Sequence, residues 1–213
     1  MQSRRLRALV FRAGQNSLLS EQLFSFRKKV FVDRLGWKLN VVDGFERDEF
    51  DHPGTLNCAL LRGAEVVGAF RAIRCDRPYL SARVFPRLAQ SEPYPSTWDA
   101  WEISRFAALD RAASWPLYAT MLNFGWIREA RALVALVDLG HERMLRSLGI
   151  NVRRYGGAAL VGTDRNGRSI MAVAGEIPLL EQSRAMRDAV TLTLSELELT
   201  DETLVLGPDR VSA

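Results

Sequence analysis

Leu56-Asn57-Cys58-Ala59-Leu60-Leu61-Arg62-Gly63-Ala64-Glu65-Val66-Val67-Gly68-Ala69-Phe70-Arg71-Ala72-Ile73-Arg74 reads as two strands, Leu56 to Arg62 and Glu65 to Arg74, joined by a tight turn at Gly63-Ala64. Working outward, Leu6 to Phe11 reads as a first strand edged with arginine, and Ala100 to Leu109 alternates as another. Leu133 to Val137 is a short apolar run that suits a buried strand. Asn151 to Tyr155 is a further strand. Ala158 to Thr163 and Arg168 to Ala174 flank Asn166-Gly167, a strong turn signal. Between these lie helix patterns. Leu19, Leu23, Phe26 and Val30 form one stripe that Gly36 stops. Ser114 is expected to cap a helix opening at Trp115-Pro116, and Gly140 to Leu148 forms another that ends at Gly149. Ile177 to Leu197 reads as a long final helix, followed by an acidic tail. Asn40 to Gly54 is an acid-rich loop, and four prolines make Asp76 to Thr97 mostly loop, with a short helix near Val84 to Ala89. Strands outnumber helices, so a mixed sheet with helices on its faces is expected.

The chain has 213 residues, which suits one α/β domain assigned to residues 1–213. Its 47% hydrophobic and 25% charged content excludes a disordered or collagenous chain. A net charge of +4 is too mild to argue for nucleic acid. Arg4, Arg5, Arg7 and Arg12 are not followed by an apolar signal region, and no run approaches the ~20 residues that span a bilayer. Cys58 and Cys75 have no metal-type spacing, which fits a reduced cytoplasmic protein. His141-Glu142 is not a zinc motif, because Leu145 stands where a second histidine would be, so no metal is expected.

What remains is a constellation of charges and rings. Arg27 and Phe31 share a helix face, and Trp37 follows that helix. Asp48 and Asp51 flank Glu49-Phe50 in the acidic loop. Arg71 closes Gly68-Ala69-Phe70-Arg71. In Trp101-Glu102-Ile103-Ser104-Arg105-Phe106, two opposite charges interrupt an apolar strand. Regular alternation puts Glu102 and Ser104 on one face and Arg105 on the other, unless a bulge intervenes. The generic reading is a cleft for a small ligand that carries both charges.

Taken in order, these residues resemble the LuxI-type acyl-homoserine lactone synthases, the autoinducer synthases. The resemblance runs from Phe24 to Gly156 through Arg27, Phe31, Trp37, Asp48, Asp51, Gly68 to Arg71, Tyr79-Leu80, Val84-Phe85-Pro86, Trp101 to Phe106, Glu142 to Leu145 and Leu148-Gly149-Ile150. It implies a three-layer α/β/α sandwich with a mixed central sheet, similar to the GCN5-related N-acetyltransferases. It also implies a reaction. The amine of S-adenosylmethionine (SAM) attacks an acyl thioester, on acyl carrier protein (ACP) or coenzyme A, and the SAM carboxylate then displaces methylthioadenosine (MTA) to close a lactone. The product is a quorum-sensing signal, and no prosthetic group is needed.

Under this resemblance Glu102 is the first candidate for the base, with Asp48 and Asp51 holding the amine and Arg105 and Arg27 clamping the SAM carboxylate. Phe31 and Trp37 pack the adenosine or sulfonium. Arg71, Phe85, Ser104 and Phe106 complete the substrate-binding set. Leu122, Trp126, Leu133, Leu136 and Leu145 are expected to line the acyl pocket. Arg146, Arg153 and Arg154 are expected to meet the acidic carrier protein. The run Leu133 to Val137 has no threonine, which points to an unsubstituted acyl chain.

Overall fold

The computed structural model describes residues 5–204. Arg4 and the end of the acidic tail lie outside the described residues, as do the extremes of the 1–213 assignment. Strands β1 (Leu6–Arg12), β4 (Leu56–Arg62), β5 (Glu65–Arg74), β6 (Ala100–Ala108), β7 (Ala132–Asp138), β8 (Arg153–Arg154), β9 (Ala159–Thr163), β10 (Ser169–Pro178) and β11 (Glu198–Asp201) form one sheet. Its order is β11-β1-β4-β5-β6-β7-β10-β8, with β9 also paired to β10. The β1–β11 and β6–β7 pairs are parallel and the β1–β4, β4–β5, β5–β6 and β7–β10 pairs antiparallel, so the sheet is mixed as expected.

Strand alternation sends the two sets of side chains to two helical layers. Val10, Cys58, Leu60, Val67, Phe70 and Ile103 meet α3 (Arg111–Trp126), α4 (Leu139–Ser147) and α5 (Arg184–Ser195), which bury Leu117, Leu145 and Val190 among others. On the opposite face, Phe11, Ala59, Leu61 and Ala69 meet Leu23, Phe24 and Phe26 of α1 (Ser17–Arg27). The short α2 (Leu80–Val84) covers that same face beside Ile73 and Ala100. The result is the three-layer α/β/α sandwich.

Several elements differ from the sequence reading: the short helix expected near Val84 to Ala89 starts earlier, at Leu80–Val84, and the strand expected at Asn151 to Tyr155 is only Arg153–Arg154. The final helix occupies only Arg184–Ser195, because Ile177 pairs with Leu133 and extends β10 to Pro178. Part of the acidic tail is a strand, β11, laid parallel to β1. Asp110, not Ser114, caps α3, its carboxylate accepting the Ala113 N–H at 2.9 Å. Pro116 therefore lies inside the helix, and its carbonyl accepts the Thr120 hydroxyl at 2.8 Å. Within the acidic loop, β2 (Val41–Val42) and β3 (Phe45–Glu46) make a small hairpin. The helix stripe continues past α1 as a π-helix, Lys28–Arg34, and Gly36 follows with φ of 71°.

Two irregularities of β6 shape the molecule. Its parallel pairing with β7 stops at Glu102↔Val134, so beyond that point the two strands have no ladder between them. Its pairing with β5 shifts register between Ala69↔Ala107 and Arg71↔Ser104, so Phe70 faces two residues, Arg105 and Phe106. Arg105 has φ of 53°, a left-handed conformation unusual for a non-glycine residue.

Gly175 sits where β10 meets β8, and a Cβ there would run into the carbonyl oxygen of Arg153 at less than contact distance. Backbone cannot swing away as a side chain can. Gly175→Ala is expected to cost about 1–3 kcal/mol, read as a lowered midpoint in urea unfolding with unchanged slope.

Candidate active site

The bulge decides which side chains meet. Trp101, Ile103 and Phe106 pack on the α3 side of the sheet, whereas Ala100 and Ala107 pack on the α1 side. The step from Ile103 to Phe106 spans three residues and not two. The extra residue lets Ser104 and Arg105 both reach the α1 side, where plain alternation would have separated them.

There Arg105 joins a buried polar network. Arg27, near the end of α1, donates from Nε to Glu46 at 2.5 Å and from its two Nη atoms to Asp51 at 2.7 and 2.9 Å. Arg71 donates to Ser104 Oγ at 3.0 Å, to Asp51 at 3.1 Å and to both oxygens of Asp48. Arg105 Nη2 donates to Glu46 at 2.9 Å and to Asp48 at 2.8 Å. The Asp48–Asp51 turn is closed by the Asp48 N–H donating to Asp51 and the Phe50 N–H donating to Asp48. Three guanidinium groups thus face three carboxylates. Arg71 and Glu46 are fully buried, and Arg27 and Asp51 are nearly so. Asp48, 19% exposed, opens the network to solvent.

The electrostatics follow from this matching. Burial works to raise the Asp51 carboxyl, but the Arg27 hydrogen bonds and the charges of Arg71 and Arg27 outweigh it and hold it well below the usual carboxylate range. Glu46 is likewise lowered: burial opposes, and the contacts with Arg105 and Arg27 prevail. Phe31 and Trp37 stack with centroids 5.2 Å apart, and the Arg105 guanidinium lies 5.9 Å from the Phe31 ring. An aromatic platform therefore stands beside Arg105, which also holds Asp48, the most exposed of the three carboxylates in this electrically balanced site.

Sequence reasoning missed Glu46, which joins Arg27 to Arg105. Its one visible signal was an acid between apolar Phe45 and the charged Arg47 in a loop already rich in acids. Glu102 is placed differently from its expected role. It is fully buried, and its two oxygens accept the backbone N–H groups of Leu80 at 3.0 Å and Ser81 at 2.6 Å. Burial raises its carboxyl despite those bonds. Glu102 therefore holds the start of α2, the segment that carries Phe85, from a position on β6 two residues before Ser104. It makes no hydrogen bond to the Arg–Asp network.

The expected acyl-pocket residues do not share one surface. Leu122, Leu133 and Leu145 are buried on the α3 side with Trp126 against them, but Leu136 packs on the other face with Val134 and Tyr155. Positions 133 and 136 differ by an odd number on a regular strand, so alternation separates them. The expected carrier-protein arginines are also paired. Arg146 and Arg154 both donate to Glu142, and Arg153 donates to Glu181 and lies 3.5 Å from Glu176. Their charge is offset within the chain.

A model of the autoinducer synthase family matches residues 11–185. The chain belongs to that family. The acyl-homoserine-lactone synthase of Acinetobacter nosocomialis is 35% identical over 162 residues, covering 68% of this chain and 88% of the relative. That of Ralstonia solanacearum is 34% identical over 163 residues, covering 70% and 78%. Among solved structures, TofI in a ternary complex with an inhibitor and MTA is 32% identical with a TM-score of 0.73, over 86% of this chain and 99% of that one. BjaI, a CoA-dependent acyl-homoserine lactone synthase with SAM and isopentyl-CoA, is 25% identical with a TM-score of 0.77, over 92% and 93%.

Removing one member of a buried ion network strands its partners. In this autoinducer synthase Glu46→Ala is expected to cost about 3–5 kcal/mol, measured by urea unfolding. Glu46 and Asp51 both titrate lower in the folded chain than in the unfolded one. The stability they contribute is complete above about pH 5, beyond the unfolded values near 4. It is lost as pH falls through their depressed folded values. A urea midpoint that stays flat between about pH 5 and pH 2 would contradict this linkage.

Proposed function

We propose that this chain is an acyl-homoserine-lactone synthase that acylates the amine of SAM from an acyl thioester and then closes the lactone, releasing MTA. One observation carries the site assignment: a neutral Arg–carboxylate network opens to solvent at Asp48 beside the Phe31–Trp37 stack. The amino-acid end of SAM bears an ammonium and a carboxylate. The ammonium fits Asp48, the carboxylate fits Arg105, and the sulfonium and adenosine fit the aromatic platform. Arg27, Arg71, Glu46 and Asp51 are positioning residues, because they are too buried to touch the ligand and act by holding Asp48 and Arg105. The same logic makes Glu102 a positioning residue behind α2, and it moves the role of base to Asp48 or a water that Asp48 holds.

The amine nitrogen then attacks the thioester carbonyl carbon. A C–N bond forms, the C–S bond breaks, and the departing thiolate takes up the proton the nitrogen sheds as it becomes an amide. In the second half the carboxylate oxygen attacks the methionine γ-carbon, a C–O bond forms, and the bond to sulfur breaks to free neutral MTA. The carbonyl oxygen, negative in between, is served by the backbone of β6 beyond Glu102, whose edge β7 leaves unpaired.

The preferred donor is acyl-ACP. A coenzyme A pyrophosphate commonly sits at a helix N-terminus, but here Asp110 already caps α3 and pairs with Arg62 at 2.7 Å. A carboxylate at that spot repels a second anion. ACP, whose thioester arm needs no such cradle, fits better, and the reading places the enzyme in the cytoplasm with both substrates. No helix among the described residues is long and apolar enough to cross a membrane.

Purified protein with SAM and a panel of acyl-ACP and acyl-CoA donors should release MTA and a product giving the protonated homoserine-lactone fragment in mass spectrometry. Asp48→Asn should lower kcat by about a hundredfold or more while far-ultraviolet circular dichroism stays native. A protein that forms an acyl amide of another amine, with no MTA, would be an ordinary N-acyltransferase. A pocket that binds SAM without any turnover would belong to a ligand sensor.

A further inference from the structure

Resting on the reading above, we propose that the turn between β9 and β10 is a clasp on the SAM site, with Arg165 at its tip as a positioning residue. By holding Gly36, Arg165 keeps Trp37 set against Phe31, the platform for the adenosine. The sheet is in two halves beside that platform. β6 and β7 share a ladder only from Ala100↔Ala132 to Glu102↔Val134. On one side lie β11, β1, β4, β5 and β6, and on the other β7, β10, β8 and β9. The charged network and the Phe31–Trp37 stack sit on the first half, with α1, the acidic loop, β5 and β6.

A contact from the second half reaches back to the platform. The Arg165 N–H donates to the Gly36 carbonyl at 2.8 Å. The Arg165 stem lies flat on the glycine, where a Cβ would stand 2.9 Å from its Cγ and 3.3 Å from its Cδ and Nε. Gly36 thus serves twice, for its positive φ and for this close approach. The next residue is Trp37. The Gly36 N–H donates to the Val32 carbonyl at 3.1 Å, and the Trp37 N–H to that of Phe31 at 2.9 Å. The backbone that Arg165 grips is therefore the stretch that sets the Trp37 ring on Phe31.

The turn is stiff enough to carry this contact. The Gly167 N–H donates to the Asp164 carbonyl at 3.1 Å, closing a four-residue turn with Arg165 in its second position. The Asp164 carboxylate accepts the N–H groups of Asn166 at 2.8 Å and Arg168 at 2.9 Å. Further along β9, Ala159 and Val161 pack on the apolar cluster that also holds Phe85, and the Leu160 carbonyl accepts from Arg87 at 3.4 Å. The hairpin thus contacts two segments that carry substrate-binding rings, one with Phe85 and one with Trp37. With the clasp closed the platform is preformed. With it released, SAM affinity falls by the fraction of molecules that remain closed. Saturating SAM draws the enzyme back to the closed form, so the chemical step keeps its rate.

Arg165→Pro is the decisive variant. Proline suits the second position of such a turn, so the hairpin persists while the N–H and the stem are lost. With SAM and an acyl-ACP that supports turnover, the KM for SAM should rise about tenfold, the worth of one hydrogen bond. The kcat should stay within about twofold and the KM for the acyl donor should not move. Inhibition by MTA, which has the adenosine end of SAM without its amino-acid charges, should weaken by a similar factor. Arg165→Gln keeps the N–H and most of the stem and should restore both constants. Gly36→Ala puts a methyl against Cγ of Arg165 and should raise the KM for SAM by itself. Adding Arg165→Ala should raise it no further, because the colliding atom is gone. A turn that only braces the sheet would lower the urea midpoint and depress the rate with the KM for SAM unmoved, and that result would overturn the proposal. Wild-type constants in both Arg165→Pro and Gly36→Ala would overturn it too, while leaving the functional reading intact. Wild-type protein that releases no MTA with any donor would bring down that reading, and the clasp with it.

Discussion

Burying charge without leaving any of it unmatched is the constraint from which the rest of this structure follows. Arg27, Arg71 and Arg105 are drawn into the protein only because Glu46, Asp48 and Asp51 are drawn in with them. Desolvating any one alone would be prohibitive. The contributors come from α1, β3, the loop after it, β5 and β6, so these elements are held in one relative arrangement by the requirement that each charge find its partner. Two apolar clusters on the same face of the sheet, one under α1 and one under α2, flank the network and keep water from it except at Asp48.

A sheet of regular strands could not deliver this set. Arg71 and Ser104 face one another across β5 and β6, but Arg105 would point to the other face. The bulge that brings it round costs the chain a left-handed residue, and the backbone strain is offset by two bidentate-capable carboxylate partners at the guanidinium. The same strand then parts from β7. Bulge and split lie within a few residues, so the aromatic platform, the exposed carboxylate and the unpaired strand edge converge at one place.

Much of this was written along the chain. The hairpin Leu56 to Arg74, with Gly63 at φ of 65°, needed only local signals. The stripe of Leu19, Leu23, Phe26 and Val30 and the capped turn before α4 are also local. Arg27, Arg71, Glu102 and Arg105 stood out because they broke apolar patterns. What failed to show was anything dependent on a distant partner. Ile177 has helical neighbours in sequence, yet its pairing with Leu133 makes it strand. Glu198 to Asp201 looks like a fraying acidic tail and is held by β1. Glu46 was one acid among several until Arg27 and Arg105 were seen on either side of it.

The sequence by itself determined the family, the α/β class and nearly all of the charged site, because residue type, spacing and turn chemistry are local properties that survive in one dimension. Tertiary structure alone decided which carboxylate meets solvent and which is sealed. Asp48 and Glu102 are both acids in plausible positions, but one sits at the open edge of an ion network and the other beneath a helix start, saturated by two N–H groups. It also decided that Arg165 meets Gly36 from the far half of the sheet. Burial and hydrogen-bond partners are set by what packs around a group in three dimensions, and no reading of neighbours along the chain contains that information.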